Sequence, residues 1–147
     1  MIVAAVKEKN EFENRVSITP DTCKSYIKAG LDVIIEKNAG YNASFLDSFY
    51  KDSGAKILDR EQVLQKADIL ISVSTILENS DLEILKNKAV IVGGFNPYEN
   101  SDKIKQIVGK FVEVYVFQSF FKFDEMKSDQ MSQNLRDWSS GRLADCC

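Results

Sequence analysis

Short runs of β-branched and aliphatic residues recur along the 147-residue chain at Ile2–Val6, Asp32–Glu36, Lys56–Leu58, Asp68–Val73, Ala89–Val92 and Phe111–Phe117. Segments with helical periodicity, each about 10 residues long, separate them, and strands alternating with such helices fold as parallel βαβ units. Ile69–Val73 and Ala89–Val92 are nearly continuous apolar runs, which suits strands covered on both faces. The pattern predicts an α/β domain built on a doubly wound, mostly parallel sheet. Ligands of such sheets lie beyond the carboxyl ends of the strands. Here those ends are the loops Lys7–Val16, Asn38–Ala43, Ser74–Ile76 and Gly93–Tyr98.

Helix boundaries are marked locally. Thr19 reads as an N-cap, with Pro20 at the first helical position and Asp21 in the first turn. Ile18 can staple onto Cys23, and Gly30 supplies a stop. Ser44 with Asp47 resembles a capping box opening a helix through Phe49 and Tyr50 to Gly54. Asp59 is expected to cap a helix carrying Val63 and Leu64, and Leu82–Leu85 lies on another. Ser101 is expected to cap a helix with Ile104, Ile107 and Val108, ended by Gly109. Residues 1–117 thus read as one α/β domain. Residues 118–147 differ: Phe120, Phe121 and Phe123 cluster, then polar residues run to Leu135. That tail offers little apolar surface, and from about residue 124 it is expected to be disordered and protease-sensitive.

Composition removes several functional classes. Hydrophobic residues make up 44% and charged residues 28%, the balance of a globular protein. A net charge of −3 gives no support for a nucleic-acid or anionic-membrane partner. No run approaches the roughly 18 apolar residues of a membrane span. The N-terminus is strand-like rather than signal-like, so a cytoplasmic location is expected. Cys23 reads as core, and Cys146 and Cys147 are adjacent, so no CxxC pair suggests zinc or a redox dithiol. Histidine is absent, which removes the commonest general base and metal ligand.

The candidate ligand positions each have a plainer reading. The chain has no GxGxxG, P-loop or GxSxG sequence. Gly93-Gly94 follows a strand but Pro97 intervenes before the next helix, so a strand-end turn is expected rather than a phosphate cradle. Arg15 lies on the ligand side and can hold a carboxylate or phosphate with two bonds. Equally, it can pair with Glu11, Glu13 or Glu36 and fix its own loop. Asp47 and Asp68 read as boundary residues, and Asn96-Pro97-Tyr98 as a turn.

Several segments, in order and at matching spacing, resemble a known family. They are Lys7-Glu8, Glu13-Asn14-Arg15-Val16-Ser17-Ile18-Thr19-Pro20, Ala39-Gly40 with Ala43, Gly54-Ala55, Ala67-Asp68-Ile69 and Asn96-Pro97-Tyr98. Over about residues 1–116 the chain is similar to the N-terminal part of the proton-translocating NAD(P) transhydrogenase alpha subunit, a relative of alanine dehydrogenases. The resemblance implies a flavodoxin- or Rossmann-like domain from a peripheral NAD(H)-binding component. That component passes hydride to NADP held by another component, coupled to proton translocation in membrane subunits. It implies NAD and NADP as cofactors, with other transhydrogenase subunits and a second copy as partners, and no direct membrane insertion. Alanine dehydrogenases carry a Lys after the fourth strand and a His after the fifth. Here Ser72-Val73-Ser74 and Phe95-Asn96-Pro97 stand there, which favours the transhydrogenase branch. Hydride transfer between nicotinamides needs positioning rather than an acid or base.

The resemblance fades after about residue 117. Lys122 stands near a family Arg, but the following Gln and Asp positions do not align. No catalytic residue, cofactor-binding residue or metal ligand is assigned, and the GxGxxG half is missing. The leading expectation is a truncated, inactive fragment of an alpha subunit that binds no dinucleotide tightly alone. The alternatives are a standalone α/β binding or interaction module and a remnant of an alanine dehydrogenase-like enzyme.

Overall fold

The computed structural model of the chain describes residues 1–74, 77–94, 104–105, 107 and 113–116. The elements run β1 (Ile2–Ala5), α1 (Pro20–Lys28), β2 (Asp32–Glu36), a 3-10 turn (Tyr41–Ala43), α2 (Asp47–Asp52), β3 (Lys56–Leu58), α3 (Arg60–Lys66), β4 (Ile69–Ile71), α4 (Asn79–Ile84), β5 (Val90–Gly93) and β6 (Glu113–Val116). The strands form one sheet in the order β3-β2-β1-β4-β5-β6. Every pairing is parallel, with Val3 opposite Val33 on one side and Ile69 on the other. The expected doubly wound α/β sheet is present.

Side-chain alternation along the strands sends residues to two cores. Val3 and Ala5 join Ile18, Cys23, Val33, Ile35 and Tyr50 beneath α1 and α2. Ala4, Ile34 and Leu70 join Val63, Leu64, Leu82, Ile104 and Ile107 on the opposite face. Tyr50 is fully buried, and its hydroxyl donates to the Ile18 carbonyl at 2.9 Å, so a large ring is buried without an orphaned polar atom. Gly40 is required beside it: a Cβ there would come within 2.6 Å of the Tyr50 oxygen.

The first helix starts as its sequence predicts. Thr19 Oγ1 accepts from the Thr22 N–H, Pro20 opens the helix and Cys23 is fully buried in the same core as Ile18. Gly30 takes φ +84° just past the helix end. The Ser44–Asp47 capping box is not formed. Ser44 has a left-handed backbone and closes the 3-10 turn, and α2 begins after Leu46. Asp47 instead accepts from the Asn38 N–H at 2.9 Å, satisfying a turn in which Asn38 itself has φ +60°. Asp59 precedes α3 without a side-chain cap bond, whereas α4 carries a reciprocal box between Glu78 and Asp81. Ile104 and Ile107 are buried as expected. Ser101, Gly109, Asn96-Pro97-Tyr98 and the tail lie outside the described residues. Among the described residues no helix is long and apolar enough to cross a membrane.

Candidate functional site at the sheet's switch point

The chain winds outward from β1 to β3, then returns to pair β4 with the other side of β1. The reversal between β1 and β4 opens a crevice at their carboxyl ends, the usual ligand position in an open parallel sheet. A cleft of about 400 Å³ lies there, lined by Arg15, Ser17, Ser72, Val73, Ser74 and Gly94.

Three elements build it. The loop after β1 is fastened to the end of β4 at its start and at its finish. At the start, the buried Glu8 carboxylate accepts from the Val73 N–H at 2.7 Å and the Ser72 hydroxyl at 3.1 Å. Its other oxygen accepts from the Ser74 N–H at 3.2 Å and the Ser74 hydroxyl at 3.5 Å. At the finish, the Ser17 hydroxyl donates to the Ile71 carbonyl at 2.9 Å. From the far side the Gly94 N–H donates to the Val73 carbonyl at 2.9 Å, and a Cβ on Gly94 would meet that oxygen at 2.8 Å. The second glycine of Gly93-Gly94 therefore lets two strand ends touch; the turn expected after it lies outside the described residues.

Arg15 stands at the mouth of this cleft with its side chain 76% exposed. Of its expected partners it takes Glu13, through Nε at 2.8 Å and Nη2 at 2.7 Å. These hydrogen bonds pull the Glu13 carboxyl down to about 2 and raise the Arg15 guanidinium further. The pair fixes the loop and also leaves the guanidinium facing solvent over the switch point.

A second cleft, about 540 Å³, lies over the ends of β1, β2 and β3 and is lined by charges including Lys7, Glu11, Glu36, Arg60 and Glu78. Arg60 organises it. Its guanidinium bonds both oxygens of Asp81 at 3.0 and 2.9 Å, and reaches Glu36 at 2.9 Å and the Lys7 carbonyl at 3.3 Å. Lys9 joins Asp81 at 3.1 Å and Glu78 at 3.2 Å. Burial pushes the Asp81 carboxyl up, but the bonds and charge of Arg60, with Lys9, outweigh it and hold the group at about 2. Asp68 accepts from the Ile2 N–H at 2.7 Å and pairs with Lys86, whose hydrogen bond holds its carboxyl below the usual range. Asp68 and Asp47 are thus boundary residues, as expected. Among the described residues no group of His, Cys, Asp and Glu could hold a metal.

Glu8, Arg60 and Asp81 had no role assigned from the sequence. Their partners lie 64 and 21 residues away, so no local spacing announces them. Glu8 is signalled only as half of the Lys7-Glu8 family marker.

The alanine dehydrogenase/PNT N-terminal domain family matches residues 4–133. The chain is 35% identical over 122 residues to an NAD(P) transhydrogenase subunit alpha polypeptide of Rickettsia prowazekii, covering 80% of this chain and 32% of that protein. It is 40% identical over 116 residues to alanine dehydrogenase 1 of Staphylococcus aureus, covering 79% of this chain and 30% of the relative. The chain therefore spans about a third of the length of these relatives. In fold it is similar to the transhydrogenase of Sinorhizobium meliloti, with a TM-score of 0.73 at 24% identity over 79% of this chain and 34% of that one. An L-alanine dehydrogenase gives the same TM-score at 18% identity, covering 81% of this chain and 33% of the other. By the family match and by these identities, the chain belongs to the alanine dehydrogenase/PNT N-terminal domain family.

Proposed function

We propose that the chain is the leading domain of a transhydrogenase-type component that handles NAD(H) and delivers hydride toward NADP held by a partner subunit. One observation supports this reading over amino-acid oxidation. The lip of the switch-point cleft at the β4 exit is Ser72-Val73-Ser74, with the backbone of Gly94 against it. Oxidising an amino acid requires a group that moves a proton at the substrate nitrogen or oxygen. The described lining residues offer hydroxyls and one permanently charged guanidinium, which orient and bind but do not exchange protons near neutral pH. Hydride transfer between nicotinamides asks for positioning alone.

The dinucleotide itself fits these residues only in part. A pyrophosphate needs glycine backbone at a helix N-terminus close to a strand end. Here α1 begins at Pro20, behind the charged loop, and the N–H groups of Val73 and Ser74 are already taken by Glu8. Arg15 suits a smaller polar group, such as a carboxamide or carboxylate, whereas the hydroxyls of Ser17, Ser72 and Ser74, whose protons go to the Ile71 carbonyl and Glu8, offer such a group only lone pairs. When bound, the dinucleotide would supply the hydride; these residues would orient the group beside them. In this reading residues 1–117 are the folded domain, the tail 118–147 carries no assigned role although the family match runs on to residue 133, and the chain alone is inactive.

The test is to isolate the chain from its own cells together with whatever copurifies. The eluate is then assayed for NADH-dependent reduction of an NADP analogue and for alanine-dependent reduction of NAD. The first activity is expected without the second. Alanine-dependent reduction, or neither activity, would overturn the reading.

A further inference from the structure

We infer that Glu8 is a positioning residue that acts as an internal anion: its carboxylate fills a nest at the β4 exit and so fixes both the cleft lip and the loop that carries Arg15. The inference rests on the switch-point cleft being the working site, as proposed above. Val73 and Ser74 present successive backbone N–H groups, the arrangement that gathers anions in phosphate-binding loops. Here the anion is covalently part of the chain. Glu8 is 8% exposed, and its two oxygens take both N–H groups and the hydroxyls of Ser72 and Ser74.

The placement has a mechanical result. Glu8 lies at the start of the loop and Ser17 near its finish; Ser17 is bonded to Ile71, the last residue of β4, and Glu8 to the residues that follow it. The intervening loop is a strap pinned twice to one strand exit. The Glu13–Arg15 pair rides on it between the pins. Because both oxygens of Glu8 act as acceptors, the nest needs a carboxylate and not merely a side chain of that size. A carboxamide places its NH₂ against an N–H or must surrender one oxygen.

Hydrogen exchange on the full chain tests this, with sodium acetate or sodium chloride at equal ionic strength. In Glu8→Ala the amides of Val73 and Ser74 should exchange about tenfold faster or more than in the parent chain, while β2 and β5 keep their protection. Acetate should enter the vacated nest and restore protection in a concentration-dependent way; chloride should not. Glu8→Gln, which leaves no space, should lose protection at one of the two amides and gain nothing from acetate. An equal response of Glu8→Ala to both salts overturns the inference. So does parent-like protection of both amides in Glu8→Gln, which decides the matter if Glu8→Ala does not fold. None of these measurements uses enzyme activity. Acetate rescue in a chain whose complex transfers no hydride would leave the strap standing and remove the function proposed above.

Discussion

Nε and Nη2 of Arg60 lie 3.0 and 2.9 Å from Oδ1 and Oδ2 of Asp81, a two-point ion pair that joins the start of α3 to the start of α4. The Arg60 side chain is 20% exposed and that of Asp81 is 7% exposed. Removing the cation leaves a nearly buried carboxylate short of its main partner.

Arg60→Ala is therefore expected to cost about 3 kcal/mol, the order seen when one partner of a buried pair is deleted. For a chain of this size that lowers the melting temperature by roughly 6–12 °C. Arg60→Lys should recover only a fraction of the loss, because an ammonium cannot reproduce the fork that meets both oxygens. Calorimetric melts of the three proteins measure this.

Acid sensitivity should follow from the same pair. Asp81 is held at about 2 in the folded chain, against roughly 3.9 when unfolded. The unfolded state thus binds the extra proton first as pH falls, so stability rises with pH in this range. Asp81 contributes its full share above about pH 4 and loses it as pH drops through about 2. Asp81→Asn should be less stable at neutral pH and show a shallower acid slope in that window, read from urea midpoints at stepped pH.

Cys23 should be inert in the native chain. Burial excludes solvent from its sulfur and pushes the thiol up to about 11, so almost no thiolate exists near neutral pH. Peptide mapping after iodoacetamide treatment should leave Cys23 unlabelled until denaturant is added. Native labelling at a rate above that of global unfolding would show the core beneath α1 opening locally.

Gly94→Ala should disturb the cleft more than Gly30→Ala. The added methyl at 94 meets the Val73 carbonyl at 2.8 Å, and overpacking of that kind costs roughly 1–3 kcal/mol. At 30 it meets nothing within 4 Å and incurs only the left-handed backbone penalty, about 1 kcal/mol. Denaturant midpoints should rank the two in that order, and only Gly94→Ala should alter exchange at Val73.

The isolated chain should bind NAD no tighter than weakly. The reason is local: its strand-end N–H groups at the switch point are committed to Glu8. Titration calorimetry giving micromolar affinity would show a dinucleotide site that these residues do not account for.

What could be read from the sequence was whatever depends on neighbours in the chain. The β-branched runs, the Thr19-Pro20 start and the Gly30 stop each state their structure within a few residues, and Cys23 falls on the apolar side by helical spacing alone. Ser44 and Asp47 were misleading because a left-handed Ser44 turns the chain before α2 begins, a backbone choice that their spacing does not encode. Arg15 was legible as a residue of the ligand side, and Glu13 was among its foreseeable partners. The Glu8 nest and the Arg60–Asp81 pair were not legible. Both exist only once parallel crossovers bring distant strand ends and helix starts together, and that proximity is a property of the topology.

The strand order also bears on how the molecule is made. β1 lies inside the sheet, between β2 and β4. Of the strands in this sheet it is synthesised before the others, and β4 leaves the ribosome only after β2, β3 and three helices have passed. For that interval the Val3–Ala5 edge that will receive Ile69–Ile71 has no native neighbour. The first strand of this sheet thus waits longest for its second partner, and a nascent chain stalled before residue 69 would expose the sheet's middle as a bare edge.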